Sequence, residues 1–262
     1  MLMILHKKYM YDKISIGITT FENRFDRYFV PLLSRIRDYD NTSEIIVAVN
    51  GQHNKDFDEN YRLRILEFMS KKKKIFPVLF PVFRGLSKLW NTIIIHATHD
   101  HILVLNDDIM ITKRNYMEKI KKALYHNEGR SFLINGSWSH FVISREEIDT
   151  LGYFDERLLG IGEEDGDTSW RYIHEFGQPI NNYSIRAFKN YAEETQHTKP
   201  INIKCRSNSK YSLFNRKFIY EYKYRADPEG IKGMFDHSFS MNDSGPAQYQ
   251  NERFYRTQKD EL

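Results

Sequence analysis

Residues 101–109 read HILVLNDDI. Four consecutive apolar residues, Ile102 to Leu105, suit a strand buried on both faces, and the run ends abruptly in an amide and two carboxylates. Two more stretches share this design. Residues 13–21, KISIGITTF, end in Thr19 and Thr20, and residues 44–51, EIIVAVNG, end in a turn at Asn50-Gly51. Helical patterns lie between them. From about Arg24 to Asp38, Phe25, Phe29, Leu32, Leu33 and Ile36 share one side, and Tyr61–Ser70 and Leu86–Thr98 also read as helices. Residues 73–82, KKIFPVLFPV, are a short extended segment. Strands alternating with helices predict an α/β domain with a mostly parallel sheet. In such sheets ligands bind outside the carboxyl ends of the strands, so the three polar clusters converge on one edge.

The second half is less regular. A helix is expected from Thr112 to about Asn127, then two short strands around Gly136 and a helix start at Ser144. Residues 152–177, GYFDERLLGIGEEDGDTSWRYIHEFG, read as a loop leading into a helix that stops at Gly177. From Glu193 the chain turns basic and aromatic, which suggests a helix covering the sheet. Beyond Ala226, Gly, Pro, Asp, Asn and Ser dominate. The expected organisation is one domain over residues 1–225, with a C-terminal extension over 226–262 that is packed or partly irregular.

Composition narrows the function. The chain has 262 residues, 40% hydrophobic and 28% charged, as in a folded globular protein. A net charge of +4 is too mild to argue for a nucleic-acid partner. One cysteine, Cys205, excludes an internal disulfide framework and a cysteine-rich zinc site, and favours a reducing, cytoplasmic compartment. The opening MLMIL run is too short for a signal peptide or membrane span, so the closing KDEL is read as coincidence. Lys71–Lys74 form a solvated basic face, at most a peripheral contact with the inner face of a membrane. The aromatic stretch near the C-terminus offers a surface for an oligomer.

The strand-end acids have a definite chemical use. When a sugar nucleotide breaks at the anomeric carbon, a diphosphate leaves with growing negative charge. A hard cation, Mg²⁺ or Mn²⁺, neutralises that charge and prefers carboxylate oxygens. No Gly-x-x-x-x-Gly-Lys-Ser/Thr loop and no Gly-x-Gly-x-x-Gly after the first strand is present, which argues against a P-loop triphosphatase and a dinucleotide fold.

Taken together, ISIGITTFENR, VNG, FRGLSKLWN, ILVLNDDI and GYFDERLLGIGEEDGDTSWR resemble the successive blocks of GT-A-fold glycosyltransferases of the family 2 type, over roughly residues 13–220. The resemblance implies an α/β GT-A fold and an inverting enzyme. Its donor is a nucleotide sugar, a UDP-sugar first of all, and its acceptor a hydroxyl of a saccharide or lipid-linked molecule, as in polysaccharide biosynthesis. It implies that Thr19, Thr20, Phe21 and Arg24 meet base and ribose, that Asn50 meets uracil or ribose, and that Arg84, Gly85, Ser87, Lys88 and Asn91 lie along the nucleotide. The family's Asp-x-Asp motif reads Asn106-Asp107-Asp108 here, an amide replacing the first acid. Asp108 is then the direct metal ligand, Asp107 a sugar contact, and Asn106 a ribose or sugar contact.

The family's acidic pair matches Glu164-Asp165. An inverting transferase needs a carboxylate to take the acceptor's proton, and Asp165 is the expected base with Glu164 the alternative. Acids ahead of a helix also serve as caps and dipole partners. His197 resembles the family's late histidine near the metal; Trp138 and Asp167 are expected beside the acceptor. Two other readings stand: a sugar nucleotidyltransferase, and a non-catalytic carbohydrate-binding protein on the same scaffold.

Overall fold

The computed structural model of the chain describes residues 11, 13–51, 56–191, 210–219 and 223. The described residues fall into two compact units. One takes those of Met1–Phe83, Thr92–Glu147 and Asn181–Lys199; the other takes those of Arg84–Asn91, Ile148–Ile180 and Pro200–Leu262. The expected extension over 226–262 lies outside the described residues.

The first unit holds the sheet. Its strands are β1 (Ile14–Phe21), β2 (Ile45–Asn50), β3 (Ile75–Leu79), β4 (His101–Asn106), β6 (Phe132–Ile134), β7 (Ser137–Ser144) and β8 (Asn181–Tyr183), arranged β3-β2-β1-β4-β7-β6-β8. The first four are parallel, β7 runs antiparallel to β4, β6 antiparallel to β7, and β8 parallel to β6. The continuous apolar runs of β1, β2 and β4 are buried throughout apart from their last residues at β1 and β4. A small second sheet pairs β5 (Ile109–Ile111) with β9 (Phe188–Asn190) antiparallel.

The chain winds outward from β1 through β2 to β3, then returns to lay β4 on the other flank of β1. That reversal makes the carboxyl ends of β1 and β4 the switch point of the sheet, the place where open α/β sheets bind ligands. Register puts Thr19 opposite Asn106 and Phe21 opposite Asn50. Helices α1 (Val30–Tyr39), α2 (Glu59–Ser70) and α4 (Tyr116–His126) bury one apolar face each, with Leu32, Leu33 and Ile36 on the first. Helix α3 (Leu86–His96) approaches β1 closely through its second half. A Cβ on Gly17 would stand 2.0 Å from Ile93 Cγ2, so only glycine permits this packing.

One element departs from its pattern. The helix expected from Arg24 begins as a 3-10 turn at Glu22–Arg24 and a π-helical turn at Phe25–Phe29, and turns α-helical only at Val30. Pro31 explains the change. It has no N–H to offer a preceding carbonyl, and the Val30 N–H instead reaches back five residues to the Phe25 carbonyl.

In the second unit, the first half of α3 is joined by the loop after α5 (Arg145–Leu151), by α6 (Glu164–Phe176), which stops at Gly177 as expected, and by α7 (Lys210–Phe218). Helix α7 lies in the basic, aromatic stretch. Among the described residues no helix is long and apolar enough to cross a membrane.

Candidate functional site

The carboxyl ends of β1, β2 and β4 gather Thr19, Thr20, Asn50, Asn106 and Asp107, all nearly buried. Thr19 Oγ1 donates to Asn106 Oδ1 (3.2 Å), and Thr20 Oγ1 to Asp107 Oδ2 (2.8 Å). Thr19 thus meets the strand-end residue opposite it, and Thr20 orients the acid that follows.

Arg24 completes the cluster. Its Nε donates to Asp107 Oδ1 (2.6 Å), and its Nη2 lies 2.6 Å from the same oxygen and 2.7 Å from Asp108 Oδ2. The guanidinium also sits over the rings of Tyr28 (4.9 Å) and Phe21 (5.5 Å). Tyr28 in turn meets Tyr191 edge-on, and the Tyr191 N–H donates to the Asp108 carbonyl (2.9 Å). Burial raises the Asp107 carboxyl to about 7, against the pull of Arg24 and Thr20. Of the four carboxylate oxygens only Asp108 Oδ1 has no hydrogen-bond partner among the described residues, and it is buried. Such an atom is costly unless something absent from the protein satisfies it. A hard divalent cation fits that donor. Among the described residues no group of three or more His, Cys, Asp or Glu side chains could hold a metal by itself.

His140 belongs here although nothing in the sequence marked it. It sits on β7 opposite Leu105, with Nδ1 at 2.9 Å from Ser139 Oγ and Nε2 buried and unpartnered. Burial lowers it to about 4 despite the opposing effect of Asp108, so the imidazole is neutral near pH 7. A lone histidine inside SWSHFV carries no spacing signal; only the β4–β7 pairing reveals it. Trp138, on the same strand, is half-buried and packs edge-on against Phe141, 4.9 Å between centroids. His197 lies outside the described residues.

The second unit holds the other acids. Residues 159–163 form a loop that doubles back before α6. Gly160 and Gly162 have φ of +60° and +130°, and Cβ atoms there would meet Tyr211 ring atoms at 2.5 Å and Ser212 Cβ at 3.1 Å. Glu163 follows at φ +75°, its carboxylate accepting from Ser212 Oγ and Arg216 Nε, both 2.7 Å. Asn215, fully buried, accepts from Leu159 N (2.7 Å) and donates to the carbonyls of Leu159 (2.9 Å) and Gly162 (2.7 Å). Helix α7 is therefore the wall that shapes this loop.

Glu164 and Asp165 open α6, where the helix dipole favours negative charge. Glu164 is buried and accepts from the Gly162 N–H (2.6 Å); burial and then Asp165 push it up to about 8. Asp165 is only partly buried, accepts from Gly166 N (2.8 Å), and is raised by burial. At neutral pH Glu164 holds its proton and serves the loop. Asp165 is the carboxylate of the pair better placed to accept a proton.

Two sequence expectations change. Asp167 is fully buried, bound to Lys223 Nζ (2.8 Å) and to Arg171 Nε (3.1 Å), so it builds the helix rather than meeting an acceptor. Asn91 is fully buried too. Its Nδ2 donates to the Phe154 carbonyl (2.8 Å) and Glu156 Oε1 (2.9 Å), and its Oδ1 accepts from Phe154 N (3.0 Å), which leaves no face for a nucleotide. Lys88 pairs with Glu156 at 3.1 Å. Gly85 packs tightly, a Cβ there falling 2.9 Å from the Leu158 carbonyl oxygen, while the buried Ser87 Oγ has no partner. Arg84 is half-buried.

No family model and no curated protein sequence matches the chain. Solved structures do. TarS of S. aureus matches with 15% identity and a TM-score of 0.52 over 93% of this chain and 49% of that one. The chain thus spans about half the length of full TarS. TarS 1–349 in complex with UDP matches with 15% identity and a TM-score of 0.52, over 95% and 83%. Glucosyl-3-phosphoglycerate synthase from Mycobacterium tuberculosis, in complex with Mn²⁺, UDP and phosphoglyceric acid, matches with 12% identity and a TM-score of 0.51, over 71% and 74%. At such identities the likeness is one of architecture: the chain has the GT-A fold, a mostly parallel sheet flanked by helices.

Proposed function

We propose that the chain is an inverting glycosyltransferase that moves a sugar from a nucleotide-diphosphate donor, a UDP-sugar first of all, to a hydroxyl of a saccharide or lipid-linked acceptor. The observation that carries this reading is the cluster at the switch point of the sheet, where Thr19, Thr20, Asn50, Asn106, Asp107 and Asp108 share one edge. The UDP bound to TarS and the UDP and Mn²⁺ bound to the phosphoglycerate synthase support the choice of donor and cation.

In this reading Asn50 and the exposed Phe21 ring, which end neighbouring strands, receive the base and ribose. Asn106 and Asp107 address hydroxyls of ribose or sugar, and Arg24 faces the diphosphate. Asp108 Oδ1 would hold Mg²⁺ or Mn²⁺, which when bound neutralises charge on the leaving diphosphate. Asp165 takes the acceptor's proton. Trp138 remains the proposed acceptor platform, and Arg84, Gly85 and Ser87 proposed donor contacts.

Thermal stabilisation by a nucleotide panel, with and without Mn²⁺, tests the reading. UDP should raise the Tm with Mn²⁺ present, and Asp108→Ala should abolish the Mn²⁺-dependent part. A response to nucleoside triphosphates alone would instead favour a nucleotidyltransferase. A donor screen by mass spectrometry with mixed acceptors then identifies the sugar.

A further inference from the structure

The arrangement of Arg24 has a consequence for how cation and donor reach the site. Three of the four oxygens of Asp107 and Asp108 are already engaged, two by the Arg24 guanidinium and one by Thr20. The guanidinium is flanked by the Tyr28 and Phe21 rings and remains partly open to solvent, its side chain 24% exposed. It rides on the 3-10 turn ahead of the π-helical turn, a local irregularity of the kind found at functional sites. A divalent cation at Asp108 Oδ1 would meet a fixed positive charge on the neighbouring oxygen of the same carboxylate. Like charges so close in a half-buried site repel strongly. A diphosphate changes the balance, because it offers a guanidinium the same bidentate oxygens that the acids do and adds oxygen ligands for the cation.

We propose that Arg24 is the resident counter-cation of the Asp107–Asp108 pair, excluding a bare divalent cation from the donor-free site and turning onto the diphosphate when donor and cation arrive together. This rests on the glycosyltransferase reading for the identity of the diphosphate. The pairing of Arg24 with both acids stands without it. The inference predicts obligatory co-binding: each of UDP and Mn²⁺ binds weakly alone and well in the other's presence.

The test is a Mn²⁺ titration followed by the electron paramagnetic resonance signal of the free ion, on the full chain, with and without UDP. Wild type, Arg24→Gln and Arg24→Lys are compared. Arg24→Gln should bind Mn²⁺ alone at least about tenfold more tightly than wild type, since a repelling charge is gone. Arg24→Lys, which keeps that charge, should stay near wild type. With Mn²⁺ present, UDP should bind Arg24→Gln about tenfold more weakly for want of a phosphate partner. Tighter Mn²⁺ binding should also show as a larger Mn²⁺-dependent rise in Tm for Arg24→Gln, a readout that needs no activity. Mn²⁺ affinity in Arg24→Gln equal to or weaker than wild type overturns the proposal, as does an unchanged UDP affinity. Wild type that ignores Mn²⁺ even with UDP, while Arg24→Gln binds it, removes cation assistance from the proposed function and leaves the counter-cation role standing.

Discussion

At the scale of the residue, environment divides two adjacent acids. Glu164 is buried, accepts the Gly162 N–H, and is raised to about 8 by burial and Asp165. Asp165 is more open. A base must be ionised, so transfer should rise with pH through the value of the group that acts. With Asp165 as base, the acid limb of kcat/KM lies above the ordinary aspartate range, because burial raises that carboxyl, and Glu164→Gln leaves that limb in place. Asp165→Asn should lower kcat by about 10²- to 10⁴-fold with little change in UDP binding. Full transfer by Asp165→Asn, or a limb near 8 that Glu164→Gln abolishes, would move the role to Glu164. The sequence showed both acids, and it showed Thr19, Thr20 and Asp107, because a buried strand announces its own end. It did not show that Asn91 is spent on Phe154 and Glu156, or that Lys88 pairs with Glu156, more than sixty residues away. Side-chain satisfaction across such distances leaves no local pattern, and His140 escaped for the same reason.

Elements were more legible than contacts. Periodicity located β1, β2, β4 and the helices, while the π-helical turn before α1 was missed because an apolar stripe does not distinguish four-residue from five-residue spacing at Pro31. The most consequential element is α7, whose sequence gave only basic and aromatic character. Its Asn215 satisfies three backbone groups of residues 159–162, and that loop supplies the N–H that holds Glu164. Asn215→Leu keeps most of the volume but leaves an N–H and two carbonyls buried without partners, at a cost of about 2–3 kcal/mol. In a chain of this size that is a fall in Tm of roughly 5–10 °C. Among molecules that remain folded, a misplaced loop should lower kcat while the affinity for UDP with Mn²⁺ stays near wild type. A parallel loss of UDP affinity would mean that α7 does more than shape the acidic loop.

For the whole molecule, the distinctive feature is how the far end of the described chain is tied back. Lys223 is almost completely buried, and its ammonium lies 2.7 Å from Asp155 and 2.8 Å from Asp167. Asp155 is also held by Arg157 (2.7 Å), and Asp167 by Arg171, whose guanidinium donates to the carbonyls of Leu151, Gly152 and Tyr153. One buried network therefore joins residues 151–171 to residue 223. Burial alone would raise the Asp155 carboxyl, but Lys223 and Arg157 hold it well below the usual carboxylate range, and Asp167 is lowered by Lys223 and Arg171. A depressed folded-state value contributes stability that is fully present above the unfolded value of about 3.9 and is lost as pH falls through the folded one. Lys223→Met removes the ammonium that two buried carboxylates share, leaving each with its arginine alone, and should cost about 3 kcal/mol at pH 7. The penalty should shrink as pH falls below the unfolded value of about 3.9 toward the depressed folded-state values, because protonated acids no longer need the ammonium. Urea unfolding of wild type and Lys223→Met at pH 7 and pH 3 measures the difference. A gap that is the same at both values would mean that Lys223 stabilises by packing its stem, and that the charges of Asp155 and Asp167 are balanced without it.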